Sequence, residues 1–394
     1  MLVTHLTLAN FRNHKNTDLA ISAGTVLFVG PNGHGKTNLV EAIHYLATLS
    51  SHRVAGYLPL IKKDEPVAVI RAKISHLGRD VLLEAELARD TKNRVRINKA
   101  DTPRVRDLLG YVKTVTFAPE DLDIVKKDPS HRRAFIDELL VQLLPRLSGT
   151  FQDYDRVLKQ RNTLLKSART NAVKGAALST LDDWDSQLVK FGSEIILNRN
   201  KLINQLNPRL IAAYQAIAQS RNEPVIQLRS SLVQTTIPNW DDTEPEEEPS
   251  LLFSVDPLEI EELFRNRLAA VRPKEIERGL TLVGPQRDDL LLLLNDMPAK
   301  GYASHGESWS YALALRLASR DLLRENSDFG DPVLILDDVF AELDAQRRER
   351  LALMVSDNEQ VLITTADIDH IPTSLQTTKF HVEHGTVTAG ESNG

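Results

Sequence analysis

Eight consecutive residues, Gly30-Pro31-Asn32-Gly33-His34-Gly35-Lys36-Thr37, carry the first recognisable chemistry in this sequence. They fit the pattern G-x-x-x-x-G-K-[ST]. Glycines let a backbone curl until successive N–H groups face phosphate oxygens. A helix starting at the end of the loop points its positive pole at the same place. Lys36 supplies a point charge for the β- and γ-phosphate oxygens, and the Thr37 hydroxyl is a hard oxygen ligand suited to Mg²⁺. Together these residues predict an ATP-binding loop. The structural alternative is a glycine turn followed by a chance Lys-Thr pair. An apolar strand before the loop and an amphipathic helix after it weigh against that.

A second constellation lies far along the chain. Val333-Leu334-Ile335-Leu336 is an apolar strand that ends in Asp337-Asp338. Charge at the end of a buried strand is costly without a partner, and a metal ion is such a partner. Asp337 is expected to hold Mg²⁺, directly or through water. Asp338 is expected to orient or deprotonate the attacking water, which makes Asp338 and Lys36 the candidate catalytic residues.

The elements that must position these groups alternate between strand and helix. Val3–Leu8 and Thr25–Val29 read as strands, and Asn38–Leu49 as a helix with Leu39, Ala42, Ile43 and Leu46 on one face. Val67–Ile74 and Val81–Leu87 read as a hairpin turning at Gly78-Arg79, and Val112–Phe117 as a further strand. From Pro129 the pattern becomes helical, with Pro208 expected to kink or end a helix. Asp241–Pro249 is acidic and proline-rich, an expected exposed loop. Alternation returns with strands at Leu280–Val283, Leu290–Leu294, Val333–Leu336 and Gln360–Thr364, and helices near Trp309–Arg324 and Ala345–Val355. The expected fold is α/β, an ATPase head (residues 1–128 and 275–394) split by a helical insertion domain (residues 129–274) that carries the acidic loop 241–249.

Three segments resemble the ABC branch of P-loop ATPases. Ser304-His305-Gly306-Glu307 opens a helix and resembles the ABC signature, so Ser304 and Gly306 are expected to face the γ-phosphate held by a second subunit. Ala341-Glu342-Leu343-Asp344 resembles the loop that crosses such a dimer interface, with Asp344 its acidic residue. Val361-Leu362-Ile363-Thr364-Thr365 occupies the strand before the family's switch residue. The resemblance implies an ATP-sandwiched homodimer. More than half of the chain separates Gly35 from Ser304. That split resembles the SMC and RecF branch, which works on DNA, rather than transporter subunits.

Further segments narrow the resemblance. Phe11-Arg12-Asn13, Lys36-Thr37-Asn38-Leu39-Val40-Glu41-Ala42-Ile43, Ser51-His52-Arg53, Phe117-Ala118-Pro119-Glu120-Asp121-Leu122, Pro129-Ser130-His131-Arg132-Arg133 and Gly284-Pro285-Gln286-Arg287-Asp288-Asp289-Leu290 resemble the RecF family of bacterial recombination mediators across nearly the whole chain. The resemblance implies a cytoplasmic protein that dimerises with ATP on DNA, helps load the RecA recombinase at gaps with RecR as a partner, and acts in replication and the SOS response. It implies a weak ATPase used as a switch and not a nuclease. Asp338 replaces the glutamate usual in ABC proteins, Glu307 stands where glutamine is common, and Thr364-Thr365 offers no switch histidine. These departures point to slow hydrolysis. Two other classes of function are open to the residues: an ABC-type subunit that drives a protein partner without touching DNA, and a scaffold that binds ATP without turning it over, against which intact Lys36, Thr37, Asp337 and Asp338 weigh.

Composition limits the rest. There is no cysteine, which excludes disulfides, thiolate metal sites and a thiol nucleophile. No apolar run is long enough to span a membrane. The formal net charge of −6 requires any DNA contact to come from a local patch. Arg156–Lys174 contains no acid, and Arg156, Lys159, Lys166 and Arg169 share one helical face opposite Val157, Leu158, Leu164 and Leu165. That stripe is the candidate DNA contact, against the alternative of an ordinary solvated face. Lys126, Lys127, Arg132 and Arg133 form a second cluster, more readily ordinary surface charge. Aromatic residues make up 5%, so backbone recognition of duplex or of a single-strand/duplex junction is favoured over base stacking. The eleven histidines show no metal-site pattern, and His381 and His384 are expected to face opposite sides of one strand.

Overall fold

The structure is a computed structural model and describes residues 1–171, 176–233, 251–327 and 329–390, apart from the side chains of 171 and 176–179. Lys174 and the acidic segment Asp241–Pro249 lie outside the described residues. In chain order the elements are β1 (Leu2–Phe11), β2 (His14–Ala20), β3 (Gly24–Val29), α1 (Lys36–Thr48), β4 (Val67–His76), β5 (Arg79–Ala88), β6 (Arg94–Ile97), β7 (Ala100–Asp101) and β8 (Thr114–Phe117). Then follow α2 (Leu122–Lys126), α3 (Pro129–Leu143), α4 (Leu147–Asn171), α5 (Ala176–Ala218), β9 (Pro224–Arg229), α6 (Pro257–Arg278), β10 (Asp289–Leu294), β11 (Met297–Pro298) and the short turn α7 (Ala299–Tyr302). The chain closes with α8 (His305–Glu325), β12 (Val333–Asp337), α9 (Ala345–Val355), β13 (Gln360–Thr365), β14 (Thr377–Glu383) and β15 (Thr386–Ala389).

Two compact units result. The first comprises Met1–Asp123, Arg209–Asn222 and Ser304–Gly394; the second comprises Ile124–Pro208 and Glu223–Ala303. The first unit holds two sheets. One is antiparallel, ordered β2-β1-β4-β5-β6-β7, and the other is mostly parallel, ordered β15-β14-β3-β13-β12-β8. Every residue of β12 and β13 is buried, the pattern of strands covered on both faces. α1 is buried on nearly all sides, Glu41 and His44 included, rather than along one stripe. It packs in a core that joins Leu6, Leu8 and Ile70 of the antiparallel sheet to Val26, Ile335 and Leu362 of the parallel one. The buried amide of Gln360 fastens β13 to β1, accepting from Val3 N–H at 2.8 Å and donating to Val3 O at 2.9 Å.

Some expectations fail for identifiable reasons. Leu280–Val283 forms no strand, because its backbone is already engaged by side chains. Thr281 N–H donates to Asn162 Oδ1, and Leu282 N–H to Glu275 Oε1, both at 2.7 Å. Pro208 lies inside α5 without ending it. The β4–β5 turn falls on Leu77-Gly78, both at positive φ (46° and 77°), one residue earlier than expected. The polar strand β2 escaped the apolar-run criterion.

A phosphate loop facing two carboxylates

β3 ends at Val29 and delivers the loop Gly30–Thr37 between it and α1. Gly33 and Gly35 take φ of 81° and 112°, which only glycine adopts readily, so the loop can curl. The loop is held from outside. Asn13 Nδ2 and Gly385 N–H both donate to His34 O at 2.9 Å, and Asn38 Nδ2 donates to Asn13 Oδ1 at 2.7 Å. The Lys36 ammonium donates to Gly30 O at 2.8 Å and Pro31 O at 3.1 Å. Burial lowers its pKa, opposed by the charges of Asp338 and Asp337.

The second half of the site arrives on β12. Thr37 Oγ1 donates to Asp337 Oδ1 at 2.8 Å, although the two residues are 300 positions apart. Thr364 Oγ1, on the neighbouring strand β13 and in register with Asp337, donates to the same oxygen at 2.5 Å. Burial pushes the Asp337 pKa up, but His52 and the two threonine hydroxyls outweigh it and leave the carboxyl below its ordinary range. Asp338 is raised, first by burial and then by the negative charge of Asp337. Its backbone sits at φ 53°, fixed by donation from its N–H to Thr364 O at 3.2 Å. One carboxylate is thus held anionic and the other made more basic, a pairing suited to a metal ligand beside a proton acceptor. The Thr37 hydroxyl and Asp337 carboxylate form an all-oxygen donor set that fits Mg²⁺.

His52 belongs to this site, and spacing alone gave no sign of its role. Its Nε2 lies 3.6 Å from Asp337 Oδ2, and among the described residues neither ring nitrogen has a partner at hydrogen-bond distance. Burial lowers its pKa, but Asp337, Glu41 and Glu120 outweigh that and leave it raised. Glu41, fully buried in α1, underlies the arrangement. It accepts from Arg12 Nε at 2.9 Å, Arg12 Nη2 at 2.6 Å and Ser51 Oγ at 2.5 Å. Burial raises its pKa, and the Arg12 and Ser51 bonds bring it below the ordinary glutamate value of 4.5. Its contribution to stability is therefore present above that value and lost as the pH falls through the folded pKa. Glu41→Gln is expected to cost about 1.5–3 kcal/mol at neutral pH. The urea curves of wild type and variant should converge as the pH falls below 4.5, and identical curves at neutral pH would count against the network.

The segments that resemble the ABC signature and the interface loop meet each other. Ser304 caps α8, its Oγ accepting Glu307 N–H at 3.2 Å while Glu307 accepts Ser304 N–H at 2.8 Å. Asp344 caps α9 and accepts from Arg347 N–H at 2.9 Å and Arg347 Nη1 at 2.6 Å. The same guanidinium lies against Gly306, within 3.1 Å of where a side chain there would begin.

Comparison with known proteins gives a family. The RecF/RecN/SMC N terminal domain model matches residues 2–388. The chain is 50% identical over 390 residues to the DNA replication and repair protein RecF of Clavibacter michiganensis subsp. michiganensis, covering 98% of this chain and 96% of that one. It is also 50% identical to the protein of that name from Streptomyces avermitilis, covering 98% and 99%. The chain belongs to the RecF family. The solved recombination mediator protein RecF-ATP in the RecFOR pathway superposes with a TM-score of 0.82 at 26% identity, covering 99% of both chains. The RecF-ATPrS structure gives 0.85 at 27%, covering 99% of this chain and 98% of that one. An Smc head bound to the C-winged helix domain of ScpA (TM-score 0.52, 16% identity, covering 100% and 98%) shares the fold alone. The fold of this RecF-family chain is that of an ABC-type ATPase head.

In the second unit the basic residues divide. Arg156, Lys159, Lys166 and Arg169 are exposed on α4, backed by buried Val157 and Leu165. Arg156 pairs with Asp153 at 2.9 Å, and Arg169 donates to Arg278 O at 3.3 Å. The second cluster divides, with Lys126 and Lys127 exposed and its two arginines turned into the fold. Arg132 is buried and forked onto Asp289 at 2.7 and 2.9 Å, while Arg133 donates to Asp288 O at 2.8 Å. Asp288 is itself fully buried and takes Ser231 N–H at 2.9 Å, so this acidic pair is committed to the fold. Among the described residues, no helix is long and apolar enough to cross a membrane.

Proposed function

We propose that the chain is an ATP-gated DNA switch of recombinational repair and replication. In this reading ATP closes two copies into a dimer on duplex or gapped DNA, the dimer helps load the RecA recombinase with RecR as partner, and slow hydrolysis releases it in the cytoplasm. The observation that carries the proposal is the 2.8 Å bond from Thr37 to Asp337, which joins the phosphate loop to a metal-type carboxylate. Half-identity to proteins named DNA replication and repair protein RecF supports the biological setting.

The proposed roles follow from the groups present. The N–H groups of Gly30–Thr37 take the phosphates. Lys36 exchanges its loop carbonyls for phosphate oxygens. Thr37 and Asp337 hold Mg²⁺, which neutralises charge on the β- and γ-phosphates when bound. Asp338, made more basic by burial and by Asp337, orients the attacking water and takes its proton. Ser304 and Gly306, at the positive end of α8, meet the γ-phosphate of the second copy, with Asp344 at the dimer seam. Arg156, Lys159, Lys166 and Arg169 bind DNA phosphates.

The test is the sedimentation mass of Asp338→Asn with Mg-ATP, with and without gapped duplex. This variant retains the loop but loses its proton acceptor, so hydrolysis should fall about a hundredfold or more. A monomer-to-dimer shift with ATP, with DNA co-sedimenting, is the expected result. The DNA should be lost when Lys159, Lys166 and Arg169 are all changed to Glu. A monomer under every condition would sink the sandwich, and a dimer that ignores DNA would sink the DNA-switch reading.

A further inference from the structure

The loop residue His34 has a role open to it that phosphate binding does not use. β14 and β15 form a hairpin whose last pair is Glu383 with Thr386. His384 and Gly385 make the two-residue turn, at φ 47° and 78°. Both positions need positive φ in this turn, and asparagine or glycine usually fills them. Here a histidine occupies the first position instead. It therefore does not lie within the strand opposite His381, as its spacing suggested. The turn lifts its ring against His34, with centroids 4.2 Å apart.

The backbone fixes this approach. Gly385 N–H donates to His34 O at 2.9 Å, and His384 N–H reaches His34 Nδ1 at 3.3 Å. A side chain at Gly385 would meet Asn13 O at 2.7 Å, so the turn is seated closely on the loop's support. One nitrogen from each of His34 and His384 and one oxygen from Glu383 all lie within 4.8 Å of one another. Bonds of about 2.0–2.2 Å to a tetrahedral ion place ligand atoms roughly 3.5 Å apart. Glu383 and His384 are exposed, so rotation of their side chains can close that difference.

We propose that His34, Glu383 and His384 form a site for one divalent transition-metal ion of the zinc class. Two imidazoles and a carboxylate suit Zn²⁺, Co²⁺, Ni²⁺ or Cu²⁺, whereas Mg²⁺ prefers oxygen ligands alone. The site is thus chemically distinct from Thr37 and Asp337. Three protein ligands leave a fourth position open to water. An ion there cross-links the phosphate loop to the β14–β15 turn and stiffens the loop from outside.

Cobalt(II) titration of the untagged, nucleotide-free chain tests this, read by the ligand-field absorption of bound Co²⁺ and by displacement with Zn²⁺. One equivalent is expected to saturate. His384→Ala and Glu383→Gln, each made separately so that one misfolded variant leaves the other, should weaken binding about tenfold or more. His381→Ala should bind as wild type does. No saturable binding by wild type, or wild-type affinity in both variants, would overturn the site. Because these variants leave Lys36, Thr37, Asp337 and Asp338 intact, ATP binding without cobalt binding overturns this inference alone. Cobalt binding without ATP binding overturns the ATPase reading alone.

Discussion

Replacing Lys36 by methionine is expected to weaken ATP binding by about thirtyfold to a few thousandfold, because removing one partner of a desolvated charge pair costs about 2–5 kcal/mol. The expectation rests on where the ammonium sits. It is almost fully buried and tied to Gly30 O and Pro31 O, so it is already positioned where the loop curls. Incoming phosphate oxygens offer it full negative charge in place of carbonyl dipoles. Lys36→Arg should not rescue binding, since a planar fork cannot replace a compact ammonium between two carbonyls. Isothermal titration with Mg-ATP would measure both variants. A Lys36→Met chain that binds within threefold of wild type would place the nucleotide elsewhere.

The second large effect concerns stability. Arg161 is completely buried on α4 and bonds to three partners: Glu275 at 2.6 Å, Asp185 at 2.6 Å and Thr281 at 2.8 Å. Glu275 is equally buried and also accepts Leu282 N–H. Arg161→Met strands buried Glu275 without a cation, while Asp185 keeps Arg272 at 2.6 Å, and the expected cost is about 3–5 kcal/mol. Replacing Arg161 and Glu275 together with apolar residues should recover much of the loss, because the orphaned charge goes with its partner. Urea unfolding followed by far-UV circular dichroism would separate the two variants. Equal losses for the single and double changes would show that packing, not charge pairing, sets the cost. The stripe proposed to bind DNA lies on the same helix, so under that proposal Arg161→Met is also expected to weaken DNA binding.

Arg161 shows where the sequence falls short. It lies in the same acid-free segment as the stripe, and at 100° per residue both buried Arg161 and exposed Arg169 fall about 140° from Arg156, on opposite sides. Helical phase alone therefore does not single out the buried cation. Nor could phase help with Arg132, whose partner Asp289 lies 157 residues away. The phosphate loop was legible because its residues are consecutive. The two strand-end carboxylates were legible because their charge is costly in that setting. His52 was not, since its place beside Asp337 depends on the loop after α1 turning back towards the end of β12. His384 was misread because its strand was assumed to continue where a turn begins. Such errors fall where tertiary contact, rather than local pattern, decides a residue's surroundings.

The strand order of the parallel sheet bears on how the chain is made. β3, which carries the phosphate loop, pairs on one side with β13 and on the other with β14. Both neighbours leave the ribosome more than three hundred residues after β3 itself, a delay on the order of tens of seconds at ordinary synthesis rates. The antiparallel sheet has no such wait, because β1, β2, β4, β5 and β6 pair over short separations. During synthesis β3 therefore has two unsatisfied edges and an apolar surface to protect. The nascent chain should need chaperone cover until β13 and β14 emerge, and it cannot hold ATP competently before then.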